Sequence, residues 1–366
     1  MRVPLDITGK MLPTDERIRA GFIGCGSHSF RNIYPTFQFA GVNLVSTCDL
    51  DADKAAAYAE QFAAERSYCD YREMLEKEQL DAVFVVTNYE ADGSPRFMRI
   101  AQECMKAGVH VWTEKPPSAS VAEVQKTMRV SRETGKFVLV GFKKMFFPAV
   151  EKAFEIARKP EFGAINTIYA RYPQRLPSEE EKRDRACGAM IGFLDHLVHP
   201  MSVLHYIAGK VRMLQYRRSA GGGGFVTLEF DSGATGIIHF AHGISGTSPL
   251  ERLEVIGTGA NVFVDNGVKL TYHRPGGRGP GGYGSTPNFI GPDESAPIVW
   301  EPEFSLGQLY NKGLFLLGYY GEVKYFADCV RTKTPPAKAG LDDVLEITKV
   351  YEAFLQPEGE LVVVNA

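Results

Sequence analysis

Lys115 stands between Glu114 and Pro116, at the end of the apolar run Val109-His110-Val111-Trp112. Proline fixes its own φ and keeps the residue before it out of the helical region, which predicts an extended Lys115 where a strand opens into a loop. An ammonium held that way can donate a hydrogen bond to a hydroxyl or carbonyl oxygen; a solvated loop lysine is the plainer alternative. A second cluster, Gly24-Cys25-Gly26-Ser27-His28-Ser29, follows an apolar strand pattern and precedes a helical one. Its first glycine permits a tight turn, its second lets backbone approach a pyrophosphate, and the helix start offers free N–H donors. Ser29 stands at the third glycine position and adds a hydroxyl. In the third cluster Asp195 and His199 are four residues apart, a spacing that shares one helix face. A neutral imidazole suits proton removal from an alcohol near neutral pH, and a neighbouring carboxylate can orient it. The competing reading makes His199 a packing or capping residue and Asp195 an N-terminal helix acid.

These groups need a frame. Strand patterns at 18–23, 43–48, 82–86, 109–112 and 137–140 alternate with helical segments such as 53–64 and 95–106. That alternation predicts a parallel, doubly wound sheet, and the near-continuous apolar strands suit one covered on both faces. After Phe147 the pattern changes. A helix at 150–158 leads to a strand at 164–171 and a helix at 195–208. Strands at 211–218, 225–230, 234–241, 252–256, 261–264 and 269–273 then predict a mainly antiparallel sheet, and helices at 318–331 and 341–355 close the chain. The expected architecture is α/β, with an extension at 1–17, a Rossmann domain at 18–147 and a second domain at 148–366, whose C-terminal helices are free to pack back on the first. The glycine-rich stretch 275–284 is expected as a surface loop.

Asp49 ends the second predicted strand, where an acid can accept both ribose hydroxyls of NAD. The 2′-phosphate of NADP would face Asp49 and Asp51 with no arginine close by in the sequence, so these residues favour NAD. A role for Asp49 as the cap of the next helix stays open. Pro200 predicts a helix that either begins near His199 or kinks there. His196, beside Asp195, is a second candidate.

The 366 residues suffice for two domains, and the net charge of −3 gives no electrostatic case for nucleic acid or an anionic membrane surface. The six cysteines are scattered, which argues against a zinc ribbon or disulfide scaffold and fits a reducing compartment. No metal site is expected. The start lacks the apolar core of a signal peptide and no apolar run reaches membrane-spanning length, so a cytoplasmic protein is expected.

The order Gly24-x-Gly26, Asp49, Glu114-Lys115-Pro116 and Asp195-x-x-x-His199 resembles the Gfo/Idh/MocA oxidoreductase family, which includes glucose-fructose oxidoreductase and inositol dehydrogenases. The likeness extends from Ile18 over nearly the whole chain, through Gly141-Phe142-Lys143-Lys144 and Tyr320-Gly321-Glu322. It implies a Rossmann domain followed by an α/β domain with a large, open, mainly antiparallel sheet, through which a homodimer or homotetramer would assemble. It also implies that Lys115 hydrogen-bonds the reacting oxygen and that Asp195 and His199 form the acid–base pair. Cofactor contacts would fall to Gly24, Gly26, Ser27, His28, Ser29, Asp49, Thr87, Asn88, Glu114 and Lys115. Lys144, Arg171, Tyr172, Arg175 and His196 are candidates to bind substrate hydroxyls. The chain departs from the family at Thr87-Asn88-Tyr89, where Thr-Pro-Asn is frequent, at Ser202, where an acid is frequent, and at Pro200.

The expected activity is NAD-dependent oxidation of a secondary hydroxyl of a sugar, glycoside or cyclic polyol, carbon 3 of a glycoside included. An NAD-dependent glycoside hydrolase working by redox elimination is the alternative. A non-catalytic NAD or sugar sensor is a third class, although such relatives tend to lose the lysine or the acid–base pair that this chain retains.

Overall fold

A computed structural model describes residues 12–90, 92–184, 188–275, 294, 296–301 and 312–365. Residues 1–11 of the expected extension and 276–284 of the expected glycine-rich loop lie outside the described residues. The chain divides into two compact units, one of Met1–Phe146 with Gly313–Glu352, the other of Phe147–Lys312 with Ala353–Ala366. Residues 313–352 thus return to the first unit.

The first unit is built on β1 (Ile18–Ile23), β2 (Val42–Cys48), β3 (Arg66–Tyr68), β4 (Ala82–Val85), β5 (His110–Thr113) and β6 (Val138–Val140). Their order is β3-β2-β1-β4-β5-β6 with every pair parallel, the doubly wound arrangement of a dinucleotide-binding sheet. All residues of β4, β5 and β6 are buried, as a sheet covered on both faces requires. After β1 the chain coils through a π turn (Ser29–Ile33), a 3-10 turn (Tyr34–Thr36) and α1 (Phe37–Ala40). Pro35 cannot donate a helical hydrogen bond, which accounts for the broken regularity. The helices α2 (Ala52–Phe62), α3 (Tyr71–Lys77), α4 (Phe97–Lys106) and α5 (Val121–Thr134) complete the winding. Asp51 caps α2 by accepting the Lys54 amide at 3.2 Å, so the capping role left open for Asp49 belongs to Asp51.

The second unit opens with α6 (Pro148–Ala157), β7 (Thr167–Tyr172), α7 (Glu179–Arg183) and α8 (Ala189–Ala208). There follow β8 (Val211–Arg218), β9 (Gly224–Phe230), β10 (Thr235–Phe240), β11 (Arg252–Ile256), β12 (Asn261–Asp265), β13 (Lys269–His273), β14 (Ile298–Trp300) and, near the C-terminus, β15 (Val362–Val363). These form one sheet in the order β14-β13-β12-β11-β7-β10-β9-β8-β15. Among the described strands its pairs are antiparallel except β7 with β10. α8 packs on β7 and buries Phe193, Leu194, Leu197, Val198, Met201 and Leu204, a stripe at helical spacing. α8 begins at Ala189 and runs through Pro200, so neither a start near 195 nor one at His199 holds. Asp195 lies in its second turn and is not a terminal helix acid.

The chain closes with α9 (Lys312–Leu316), α10 (Tyr319–Thr332) and α11 (Leu341–Ala353). α10 sets Phe326 edge-on to Phe84 of β4, with ring centroids 5.3 Å apart, and so belongs to the core of the first unit. Among the described residues no helix is long and apolar enough to cross a membrane.

Candidate functional site

In the first unit the pairing of β1 with β2 and β4 brings three loop starts together at the carboxyl ends of the strands, where doubly wound sheets bind ligands. Gly24 donates its amide to the Cys48 carbonyl at 2.8 Å. Its φ is +107°, and a Cβ there would lie 1.7 Å from the Val86 carbonyl oxygen. No other residue fits. Gly26 differs, because a Cβ there would meet nothing within 4 Å; its bare backbone faces open space. Buried Ser29 donates its hydroxyl to the Gly24 carbonyl at 2.9 Å and locks the turn. Exposed Ser27 follows Gly26 at the rim, where its carbonyl accepts from Arg31 Nε at 3.2 Å. Burial pushes the Cys25 thiol up to about 11, so it stays neutral within the turn.

Asp49 ends β2 with its carboxylate accepting the Cys25 amide at 2.7 Å and the Asp51 amide at 3.0 Å. A carboxylate has about four lone-pair sites, so acceptor capacity remains on the cleft side. The cleft beside it holds about 370 Å³ and is lined by Gly24, Gly26, Asp49, Thr87 and Asn88, together with Lys54, Arg72, Arg96 and Arg99. The expectation that no arginine lies near Asp49 fails here, because α3 and α4 begin at the same strand ends. Each of these arginines is engaged by carboxylate: Arg72 with Glu103 at 2.9 Å, Arg96 with Glu90 at 3.3 Å, and Arg99 with Glu90 at 2.9 Å. NAD fits this cleft. Gly26 admits a pyrophosphate, Asp49 suits ribose hydroxyls, and the Thr87 hydroxyl is buried without a hydrogen-bond partner.

Asp49→Asn is expected to raise the Kd for NAD about tenfold, as a charge-assisted hydrogen bond contributes about 1.5–3 kcal/mol. NADPH binding should weaken less. Titration with both reduced cofactors checks this, and equal losses for the two would contradict the role given to Asp49.

At the end of β5 the chain bends at Lys115, and its peptide bond to Pro116 is cis. Glu114 is buried, and its carboxylate accepts the Lys115 amide at 2.9 Å and His28 Nε2 at 2.8 Å. His28 Nδ1 in turn accepts the Asn32 side-chain amide at 3.2 Å; these partners assign the Nε2–H tautomer. His28 and Glu114, both expected against the cofactor, thus brace the glycine turn against the lysine bend. Lys144 is buried in the 3-10 turn Lys143–Phe146 of the same unit.

In the second unit the half-exposed side of α8 presents Asp195, His196 and His199. Tyr172, at the end of β7, faces them, with its ring centroid 6.1 Å from His199 and 6.4 Å from His196. Burial, with Glu251 and Asp195 adding, pushes the Tyr172 phenol up. Ser202 donates to the His199 carbonyl at 3.0 Å, and Pro200 has no N–H for the His196 carbonyl. Arg171 is separated from this group. Along β7 it alternates with Tyr172 and lies on the opposite face, where it donates to the Pro249 carbonyl at 2.5 Å. Adjacent strand residues point to opposite faces, so the two cannot serve one pocket. Arg175 forms a two-pronged pair with Glu181, at 2.8 and 2.6 Å. It shares a hollow of about 290 Å³ with Gln174, Gly192, Phe193 and His196. Among the described residues no cluster of His, Cys, Asp and Glu is arranged to hold a metal.

The fold and its cleft define a dinucleotide-binding oxidoreductase. Residues 18–142 match the oxidoreductase family with an NAD-binding Rossmann fold, and residues 150–263 match the Gfo/Idh/MocA C-terminal domain; the chain belongs to the Gfo/Idh/MocA family. It is 24% identical over 356 residues to a myo-inositol 2-dehydrogenase of Thermotoga maritima, covering 92% of this chain and 95% of that one. An oxidoreductase from Agrobacterium radiobacter, solved with NAD+, L-tartaric acid and magnesium, superposes with a TM-score of 0.73 over 95% of this chain and 98% of that one, at 14% identity. An aldose-aldose oxidoreductase from Caulobacter crescentus, solved with glycerol, superposes with a TM-score of 0.70 over 92% and 96% of the two chains, at 18% identity. These two likenesses are of fold. The chain is an NAD-dependent oxidoreductase, and its first unit is the NAD-binding Rossmann domain.

Sequence reasoning missed Lys54, Arg72, Arg96 and Arg99 in the cleft. Arg96 and Arg99 sit three apart at the start of α4, the helix that follows the loop leaving β4, a position that strand-end geometry marks for ligand contact.

Proposed function

We propose that the chain oxidises a secondary hydroxyl of a neutral sugar, glycoside or cyclic polyol. The observation that carries this reading is the gathering of Asp195, His196, His199 and Tyr172 on one side of α8. In it, His199 takes the hydroxyl proton, and Asp195, one turn back on the same helix face, orients the ring and stabilises its protonated form. Lys115 donates to the oxygen as negative charge develops on it. NAD, when bound by Gly24, Gly26, Ser29, Asp49, Thr87 and Asn88, supplies the two-electron acceptor. Tyr172, Arg175, His196 and Lys144 are the groups assigned to ring hydroxyls, without Arg171. A neutral substrate suits the pairing of Arg175 with Glu181, which leaves that guanidinium little call for an anion. The reading is supported by the names of relatives, an inositol dehydrogenase and an aldose-aldose oxidoreductase.

A panel of inositols, aldoses, aryl glycosides and hydroxy acids, assayed for NADH formation, tests this. A neutral ring should reduce NAD and no aryl glycoside should release its aglycone. Turnover confined to hydroxy acids, or aglycone release without net NADH, would displace the proposal.

A further inference from the structure

Tyr319 is the first residue of α10, entered through Gly318 in a left-handed conformation. The helix is fixed on the first unit. Phe326 packs edge-on against Phe84 and Phe137, and a Cβ on Gly321 would lie 3.2 Å from the Phe146 carbonyl oxygen. That close approach sets the start of α10 against the turn 143–146. Lys143 of that turn donates its ammonium to the Tyr319 hydroxyl at 2.6 Å and lies over the ring, 4.2 Å from its centroid. Tyr319 is buried, so its ring is held at one end by the helix and at the other by the lysine.

The same ring meets the glycine turn. It stands edge-on to the His28 imidazole, with centroids 5.9 Å apart and planes at 65°, the geometry that aromatic quadrupoles favour. His28 is two residues past Gly26, and its side chain is 40% exposed. A side chain so open to water is held by few neighbours. Its Nε2 donates to Glu114 at 2.8 Å and its Nδ1 accepts from Asn32 at 3.2 Å. Tyr319 is its one aromatic partner among the described residues.

We propose that Tyr319, braced by Lys143, is a positioning residue for NAD binding: it keeps the His28 ring on Glu114 and so holds the glycine turn in the form that receives the cofactor. Every link is a contact, from Lys143 to Tyr319, from Tyr319 to His28, and from His28 to Glu114. His28, Glu114 and Lys143 follow β1, β5 and β6. Tyr319 thus ties together three loops at the carboxyl ends of the sheet, where a dinucleotide lies. It acts through His28 and not by touching NAD. The inference rests on NAD binding by the first unit and is independent of the proposed substrate.

Titration of the full chain with NADH, read by fluorescence, tests this, with proton NMR of the cofactor-free chain beside it. Tyr319→Phe and Lys143→Met break the same hydrogen bond and leave most of each side chain's bulk. Each should raise the Kd for NADH about threefold. Together they should raise it by about the same threefold, and not by the roughly ninefold of independent effects. On a His28→Ala chain neither substitution should change the Kd further. Without cofactor, the His28 Nε2 proton, assigned by its loss in His28→Ala, should give a resolved resonance that broadens in Lys143→Met and in Tyr319→Phe through faster exchange with water. The proposal is overturned if both variants bind NADH as wild type does, or if their effects multiply. It is equally overturned if the effects persist on the His28→Ala chain, as direct contact with NAD would require, or if binding weakens while the His28 resonance stays sharp.

Discussion

Lys115→Met is expected to lower kcat by about a hundred- to a thousandfold, the loss typical when one donor to a developing oxyanion is removed. NAD binding should change by no more than about twofold, a few tenths of a kcal/mol. Methionine keeps the unbranched bulk of lysine and removes only the ammonium. The Lys115 backbone should stay in place, because Glu114 holds it through the main-chain amide at 2.9 Å and not through the side chain. The Gly24–Gly26 turn and Asp49, which bear the cofactor, are likewise untouched. Initial rates of NADH formation on the substrate found by panel screening, with NADH titration as the binding check, read the two effects apart. A Lys115→Met enzyme within tenfold of wild type would remove Lys115 from the reaction.

Gly24→Ala and Gly26→Ala, two positions apart, should fail in different ways. At Gly24 the new methyl would meet the Val86 carbonyl oxygen at 1.7 Å, with φ at +107°. The backbone conformation alone costs about 1–3 kcal/mol for a residue with a side chain, and moving the end of β4 adds more. A fall in Tm on the order of 10 °C is the expected result, with loss of NAD binding as a consequence. At Gly26 the methyl meets nothing within 4 Å, so Tm should hold. The methyl would instead occupy the space where backbone approaches a pyrophosphate, and the Kd for NAD should rise about tenfold or more. Thermal unfolding and NADH titration of both variants check this. A stable Gly24→Ala, or a Gly26→Ala that binds NAD as wild type does, would contradict the geometry.

Much of the frame is legible from local pattern. The strands from β1 to β6 announce themselves as apolar runs, apart from β3. Arg66-Ser67-Tyr68 has no such run, and it is a strand because the edge of β2 offers it unpaired groups. The glycine turn, Asp49 and the lysine–proline step stand at strand ends in the sequence and in the structure. The start of α8 was obscured because Gly188, in a left-handed conformation, offers no side-chain cap, so the polar Asp195 looked like the opening of the helix. Arg171 illustrates a different loss. The alternation of β7 already places it opposite Tyr172, and only the position of α8 shows which face matters.

What the sequence determined by itself is therefore what neighbouring residues decide: where the backbone must turn, which element a segment forms, and that Asp195 and His199 share a helix face. Steric limits on φ and the helical period act over a few residues and need no fold to be read. The tertiary structure decided what each group has for surroundings. Val86 meets Gly24 because β4 pairs with β1, which makes one glycine obligatory and leaves the other bare. Arg72, Arg96 and Arg99 reach the cleft because α3 and α4 rise from the same edge as Asp49. Glu322, an ordinary acid in a helical stretch, is wholly buried without a hydrogen-bond partner because α10 packs against β1 and β5. Burial pushes its carboxyl well up, and such long-range surroundings exist only once the chain has folded.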